Sequence, residues 1–203
     1  MTKTNPTFTN SLQNHVKDFH LAFNHPVSSK PTPMSLERAI NRSVWTTEEI
    51  VEYLASSVST KEEFSHAYYE FLQGVQKAYM KSLNGEFPQT DEDKVVAQAD
   101  ALTDASYFIN GSFVEIGVDA EPVFNIVQGA NMSKLFVAED GTKYAKYRED
   151  GKIQKSEFFY QPEQFIKEEI LKQIHKSSVQ ESVQKGINNN KNLLERLDDT
   201  ILD

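Results

Sequence analysis

The sequence predicts an all-α bundle of five or six helices, with a short β-hairpin or extended arm towards its C-terminal end. Three observations point there. Apolar residues recur at helical spacing through most of the first 134 positions, while strand-like alternation is confined to about 143–153. Turn punctuation at Pro31-Thr32-Pro33, at Asn84-Gly85 with Pro88, and at Gly117 cuts the periodic stretch into helix-sized pieces. The composition, 38% hydrophobic and 25% charged over 203 residues, suffices for a packed core, and no apolar run nears the roughly 20 residues of a membrane-spanning helix.

The first helix is expected over 14–23, where Val16, Phe19, Leu21 and Phe23 are apolar, before His25-Pro26 opens a loop. A second starts near Ser35 and runs to about 57, with Val44, Val51, Leu54 and Val58 on its core face. Ser35 is followed three residues later by Arg38, so it makes no capping box; Thr60 with Glu63 does, and opens a third helix carrying a stripe from Phe64 to Tyr79. The fourth begins at Asp91 or Asp93 and runs to about Gly117. It is apolar or small nearly all round, which predicts a position at the centre of the bundle. Asn110-Gly111 within it is a hairpin signal, but the apolar spacing resumes in phase at Phe113 and Ile116, so the helix continues. Asp119 caps a fifth helix to about Lys134, with Pro122 tolerated in its first turn. A hairpin or arm over 143–153, a helix over 164–175 and a polar tail from Ser177, mobile or packed between chains, complete the reading. The expected division is a domain over 14–160, including the arm 136–160, and a C-terminal helix and tail over 161–203.

Composition narrows function. Cysteine is absent, which excludes disulfide frameworks, thiol nucleophiles and Cys-ligated metals. Acidic residues outnumber basic ones by 30 to 21, a net charge of −9, so binding of a nucleic acid polymer is disfavoured. The polar N-terminus lacks a secretory signal, and a cytoplasmic protein without membrane attachment is expected. An anionic small molecule remains a candidate ligand, given a local basic cluster or metal ions.

Carboxylates stand out on two helices. Glu49 and Glu52 share a stripe beside the apolar face of the second helix, with Glu48 next to them. On the fourth helix Asp100 and Asp104 stand at i and i+4 with Tyr107 on the same stripe, among Ala97, Ala101, Leu102, Phe108 and Ile109. Aspartate is a poor helix-interior residue, and two carboxylates in apolar surroundings cost several kcal/mol each unless compensated. The helix carries no cation between Val95 and Gly117. Oxygen ligands without Cys suit Mg²⁺ or Mn²⁺, and the four carboxylates would form one site if the helices face each other. The bland alternative pairs them with Arg38 or Arg42. A third element, Asn131-Met-Ser-Lys134-Leu135, puts an amide and an ammonium on one stripe, ahead of Lys143, Lys146, Arg148, Lys152 and Lys155 in the arm. It is either a helix C-terminus complemented by lysine or a phosphate clamp.

Taken in order, Glu48-Glu49-x-x-Glu52, Asp100-Ala-Leu-Thr-Asp104 and Asn131-Met-Ser-Lys134-Leu135 resemble the all-α nucleoside-triphosphate pyrophosphohydrolase superfamily, the MazG and phosphoribosyl-ATP pyrophosphohydrolase-like enzymes. So do Phe19-His20 before them and the Asp140-Gly-Thr-Lys143 and Asp150-Gly-Lys152 segments after. The resemblance covers about 16–159. It implies metal-dependent hydrolysis of an NTP or dNTP to the monophosphate and pyrophosphate, by a homodimer or homotetramer. Glu49, Glu52, Asp100 and Asp104 would hold Mg²⁺, or Mn²⁺ in its place, with Glu48 and Glu49 catalytic. Asn131, Lys134 and Lys152 would take phosphate oxygens, and Tyr107 would line the ribose or base site unless it is a core aromatic. The chain departs from the superfamily pattern in two places. Ala101 stands three residues before Asp104 where a Glu is usual, and the helix after Thr60 lengthens a normally short connection.

The rival reading is a noncatalytic helical module that binds a nucleotide or a protein, its carboxylates ion-paired. A haloacid-dehalogenase nucleophile needs a strand-borne Asp-x-Asp, and Asp91-Glu92-Asp93 opens a helix instead. The sequence has neither a Gly-x-Ser-x-Gly elbow nor a His-Glu-x-x-His metal motif.

Overall fold

The structure, a computed structural model, describes residues 8–201, with side chains described for 8–185, 187 and 188. The described chain runs α1 Ser11–Ala22, α2 Leu36–Ser56, α3 Lys61–Leu83, α4 Asp91–Glu115, α5 Ala120–Met132, β1 Phe136–Val137, β2 Lys143–Tyr144 and α6 Glu163–Ile201. The all-α class with an appended hairpin is what the apolar spacing implied. The chain divides into two compact units, residues 30–106 and the segments on either side of them.

In the unit of 30–106, α2 packs on α3. Ser35 caps α2 by accepting the Arg38 N–H at 3.3 Å, without a reciprocal partner. The capping box of α3 is complete: Thr60 Oγ1 accepts the Glu63 N–H at 3.1 Å and Glu63 Oε2 accepts the Thr60 N–H at 3.2 Å. The Gln98 side chain on α4 clasps the backbone of Met34 from both sides, accepting its N–H at 2.8 Å and donating to its carbonyl at 3.1 Å. That amide pairing ties the Pro-rich approach to α2 onto α4.

The second unit holds the buried core. Phe23 closes α1 and is fully buried, with Phe19 stacked on it at 4.4 Å between ring centroids. Ala130 on α5 and Leu135 just beyond it are the other buried apolar residues among those described. α1 packs on α5: Gln128 Nε2 donates to the His15 carbonyl at 2.8 Å, and the His15 ring stacks on Phe124. α4 ends where Gly117, at φ +69°, reverses the chain and lets the Val118 N–H reach back to the Phe113 carbonyl, a helix stop that only glycine adopts without strain. Asp119 then caps α5, and its own N–H and carbonyl are gripped by the Gln173 side chain of α6.

Three expectations change. The hairpin starts earlier than the alternation at 143–153 suggested: β1 at Phe136–Val137 pairs with Lys143–Tyr144, and 147–153 contributes only a Tyr147–Ile153 bridge around a second turn. Both turns use Asp-Gly. Asp140 Oδ1 accepts from Thr142 N and Asp150 Oδ1 from Lys152 N, with Gly141 and Gly151 at positive φ, so short turn geometry rather than alternation sets the arm. The C-terminal helix does not stop near 175 but continues to Ile201. Nothing after 163 is proline, and a single glycine within a run of helix formers costs only about 1 kcal/mol. Finally, α4 is not at the centre of a core within this chain: Leu102 is 64% exposed, Tyr107 76% and Val114 79%. Among the described residues much of its apolar surface is exposed, while Val95 and Phe113 are half-buried.

Candidate functional site

Within the unit of 30–106, α2 presents Glu48, Glu49 and Glu52 in consecutive helical turns, and α4 presents Asp100 and Asp104, all five exposed. Glu48 and Glu52 border a shallow depression with Ser43, Val44, Thr47 and Val51. On the other side of Ser43 and Thr47 a groove of about 680 Å³ opens between α2 and α4. Arg42 and Thr46 line it from α2, and Gln98, Ala101 and Leu102 from α4. Its size suits a small molecule of nucleoside dimensions. The small residues Ala101 and Ala105 keep the α4 wall low where a larger side chain would fill the space.

The five carboxylates fit a hard, oxygen-preferring cation by chemistry. Among the described residues, however, no three His, Asp or Glu side chains stand close enough together to hold a metal ion, and no basic nitrogen lies within 4.0 Å of these five. One chain thus brings the acids to one unit without closing them round a centre.

Two guanidiniums stand close by on α2. Arg38 and Arg42 both lie over the Trp45 indole, at 5.1 and 5.8 Å from the ring centroid. Partial burial, and then the like charge of Arg38, hold the Arg42 pKa below its ordinary value. Sequence reasoning treated Arg42 only as a possible carboxylate partner. Its place in the groove wall follows from its i+4 spacing to Thr46 and could have been read on a helical wheel.

In the other unit, the end of α5 brings Asn131 and Lys134 together as their spacing implied: Lys134 Nζ donates to Asn131 Oδ1 at 2.7 Å. Lys134 is half-buried, and burial, then the charge of Lys155, lower its pKa. Lys152 sits at the exposed tip of the second Asp-Gly turn, beside an Arg148–Asp150 ion pair at 2.9 Å. Tyr107 is an exposed ring set edge-on to Phe108 and is no core aromatic within this chain.

A protein-family comparison matches residues 16–131 to phosphoribosyl-ATP pyrophosphohydrolase. That stretch includes all five carboxylates, Tyr107 and Asn131, while Lys134 and Lys152 fall beyond it. Among solved structures, a protein of Exiguobacterium sp. 255-15, provisionally assigned as an NTP pyrophosphohydrolase, superposes with a TM-score of 0.77 at 40% sequence identity, covering 83% of this chain and 98% of its own. No curated protein matches the chain significantly. The chain belongs to the phosphoribosyl-ATP pyrophosphohydrolase family.

Proposed function

We propose that this hydrolase of nucleotide pyrophosphate bonds takes a nucleoside triphosphate, ribo- or deoxyribo-, and splits it with Mg²⁺ (or Mn²⁺) into the monophosphate and pyrophosphate. The observation that carries the reading is the family match over 16–131, which contains every one of the paired carboxylates on α2 and α4. Glu49, Glu52, Asp100 and Asp104 would hold the cation, which when bound supplies charge neutralisation at the phosphoryl group. Glu48, one residue from Glu49, accepts the proton of the attacking water as its oxygen bonds to phosphorus. The bond between the α- and β-phosphoryl groups breaks, and its electron pair leaves on pyrophosphate. Asn131, Lys134 and Lys152 bind the phosphate oxygens, and Tyr107 lies against the ribose or base. The chain works as a homodimer or homotetramer: the uncovered apolar side chains of α4 support a second copy against it, which would also complete the open carboxylate cluster.

The test is incubation with Mg²⁺ and a panel of ribo- and deoxyribonucleoside triphosphates, separating monophosphate, diphosphate, pyrophosphate and phosphate, beside a Glu49→Gln control. Monophosphate with pyrophosphate, lost in the variant, is the expected result. Diphosphate with phosphate would mean a different bond is cleaved. A noncatalytic module is the outcome that would overturn this reading. Its mark would be nucleotide binding without turnover of any panel member.

A further inference from the structure

Lys134 is not the only ammonium at the end of α5. Ser156, almost fully buried near the end of the arm, donates from Oγ to the Ser133 carbonyl at 2.8 Å and accepts the Phe158 N–H at 3.1 Å. Ser133 Oγ in turn accepts the Tyr160 N–H at 3.3 Å. These bonds fasten residues 156–160 to the helix terminus. They place Phe159 beneath two lysines at once, with Lys155 Nζ 4.2 Å and Lys134 Nζ 5.9 Å from its ring centroid. Among the described residues neither ammonium has a carboxylate within 4.0 Å. The Asn131 amide nitrogen, not used in the bond to Lys134, is a further donor beside them.

Two ammoniums gathered over one aromatic ring with no acidic partner repel each other. A polyanion laid across them would relieve that repulsion and gain charge-assisted hydrogen bonds. Burial first, and then the charge of Lys155, hold the Lys134 pKa below its ordinary value. A solvated basic surface would need no buried serine to anchor it.

We propose that Lys155 is a polyphosphate-binding residue, pairing with Lys134 across Phe159 to grip the triphosphate tail. This deepens, and rests on, the hydrolase reading above, which drew on Lys152 as the arm's contribution. Lys155 differs from Lys152 in being fastened next to Lys134 by the serine contacts, whereas Lys152 stands at a turn tip.

The probe is inorganic tripolyphosphate, titrated calorimetrically into the full chain in metal-free buffer, so that neither the nucleoside nor the carboxylates are required. Lys155→Ala is expected to weaken binding roughly tenfold or more, and Lys155→Arg to restore most of it. Lys146→Ala removes an equal charge from the arm at a lysine that lies over Phe136 instead, and is expected to change affinity less than about twofold. Equal losses in the Lys155 and Lys146 variants would reduce the site to diffuse charge and overturn the proposal, as would no binding to the unaltered chain. Lys155 is exposed, and an unchanged thermal midpoint in each variant excludes unfolding as the cause. The two readings fail separately. Tripolyphosphate binding lost with Lys155 but no turnover of any nucleotide leaves this site standing without the hydrolase. Turnover with tripolyphosphate affinity indifferent to Lys155 leaves the hydrolase without this site.

Discussion

The end of α1 with α5 and the arm, and the carboxylate faces of α2 and α4, are built on opposite principles. In the first region segments distant in sequence, α1, α5 and the arm, close on one another. Phe23, Ala130 and Leu135 are buried, the Tyr147 hydroxyl donates to the Phe23 carbonyl, and Tyr160 presses so closely on Gly129 that a Cβ there would collide with its hydroxyl. In the second, carboxylates and large apolar groups alike face outwards, from Glu49 on α2 to Leu102 on α4. A core supplied by one chain stabilises that chain. In the oligomer proposed above, a second copy would cover those apolar groups and complete the open acids. Mutations in the two regions should therefore separate stability from activity.

The largest expected effect is on turnover in the open region. Glu48→Gln should lower kcat by about 10²–10⁴-fold, the range for loss of a general base, while the thermal midpoint stays put because Glu48 is exposed. A parallel fall in midpoint would erase the contrast between the regions. Phe23→Ala attacks the closed region: truncating a fully buried aromatic should cost about 3–5 kcal/mol in denaturant unfolding, with kcat per folded molecule largely retained. Next comes the uncovered face of α4. A Leu102→Glu, Val114→Glu double variant should shift sedimentation at micromolar concentration from an oligomer to the single chain and take turnover with it. If both side chains simply face water, sedimentation will not change.

The smallest effect sharpens the comparison at the border of the closed core. The Lys134 pKa lies below 10.5 in the folded chain because burial, then Lys155, disfavour its charge. The unfolded chain thus binds that proton more tightly, and Lys134 detracts from stability at pH values below its folded pKa. The penalty fades as pH rises from the lowered value towards 10.5. Lys134→Met should accordingly unfold at a higher denaturant concentration than the parent near neutrality, and the gap should narrow in alkaline buffer. A gap independent of pH would put the effect down to packing of the methionine rather than charge.

Much of the helical organisation was legible because its signals are local. Thr60 with Glu63, Ser35 without a partner at Arg38, and Asp119 before Pro122 each act within one helical turn, and the structure uses all three as caps. The i, i+3 pairing of Asn131 with Lys134 was readable for the same reason. The start of the hairpin was not. Phe136–Val137 is only two residues long and carries no alternation, so its pairing depends on the Asp140-Gly141 turn and on where α5 delivers the chain. The continuation of α6 was missed because polar residues gave no apolar periodicity, though nothing in them stops a helix. Lys155 was visible only as one of several basic residues in the arm.

The sequence by itself determined the residue types and their order along each helix: paired acids on two helices, an amide and a lysine at the end of a third, and no cysteine anywhere. Helical periodicity then decides which of these share a face, because 3.6 residues per turn is a property of the backbone. Tertiary structure alone decided that Ser133 and Ser156, 23 positions apart, would hydrogen-bond and bring Lys155 to Lys134, and that the wall opposite Arg42 would be built of alanines and Gln98. It also decided that apolar side chains of α4 such as Leu102, Tyr107 and Val114 would stand exposed in a single chain. Such contacts depend on packing between segments distant in sequence, and no local pattern encodes the partner across the gap.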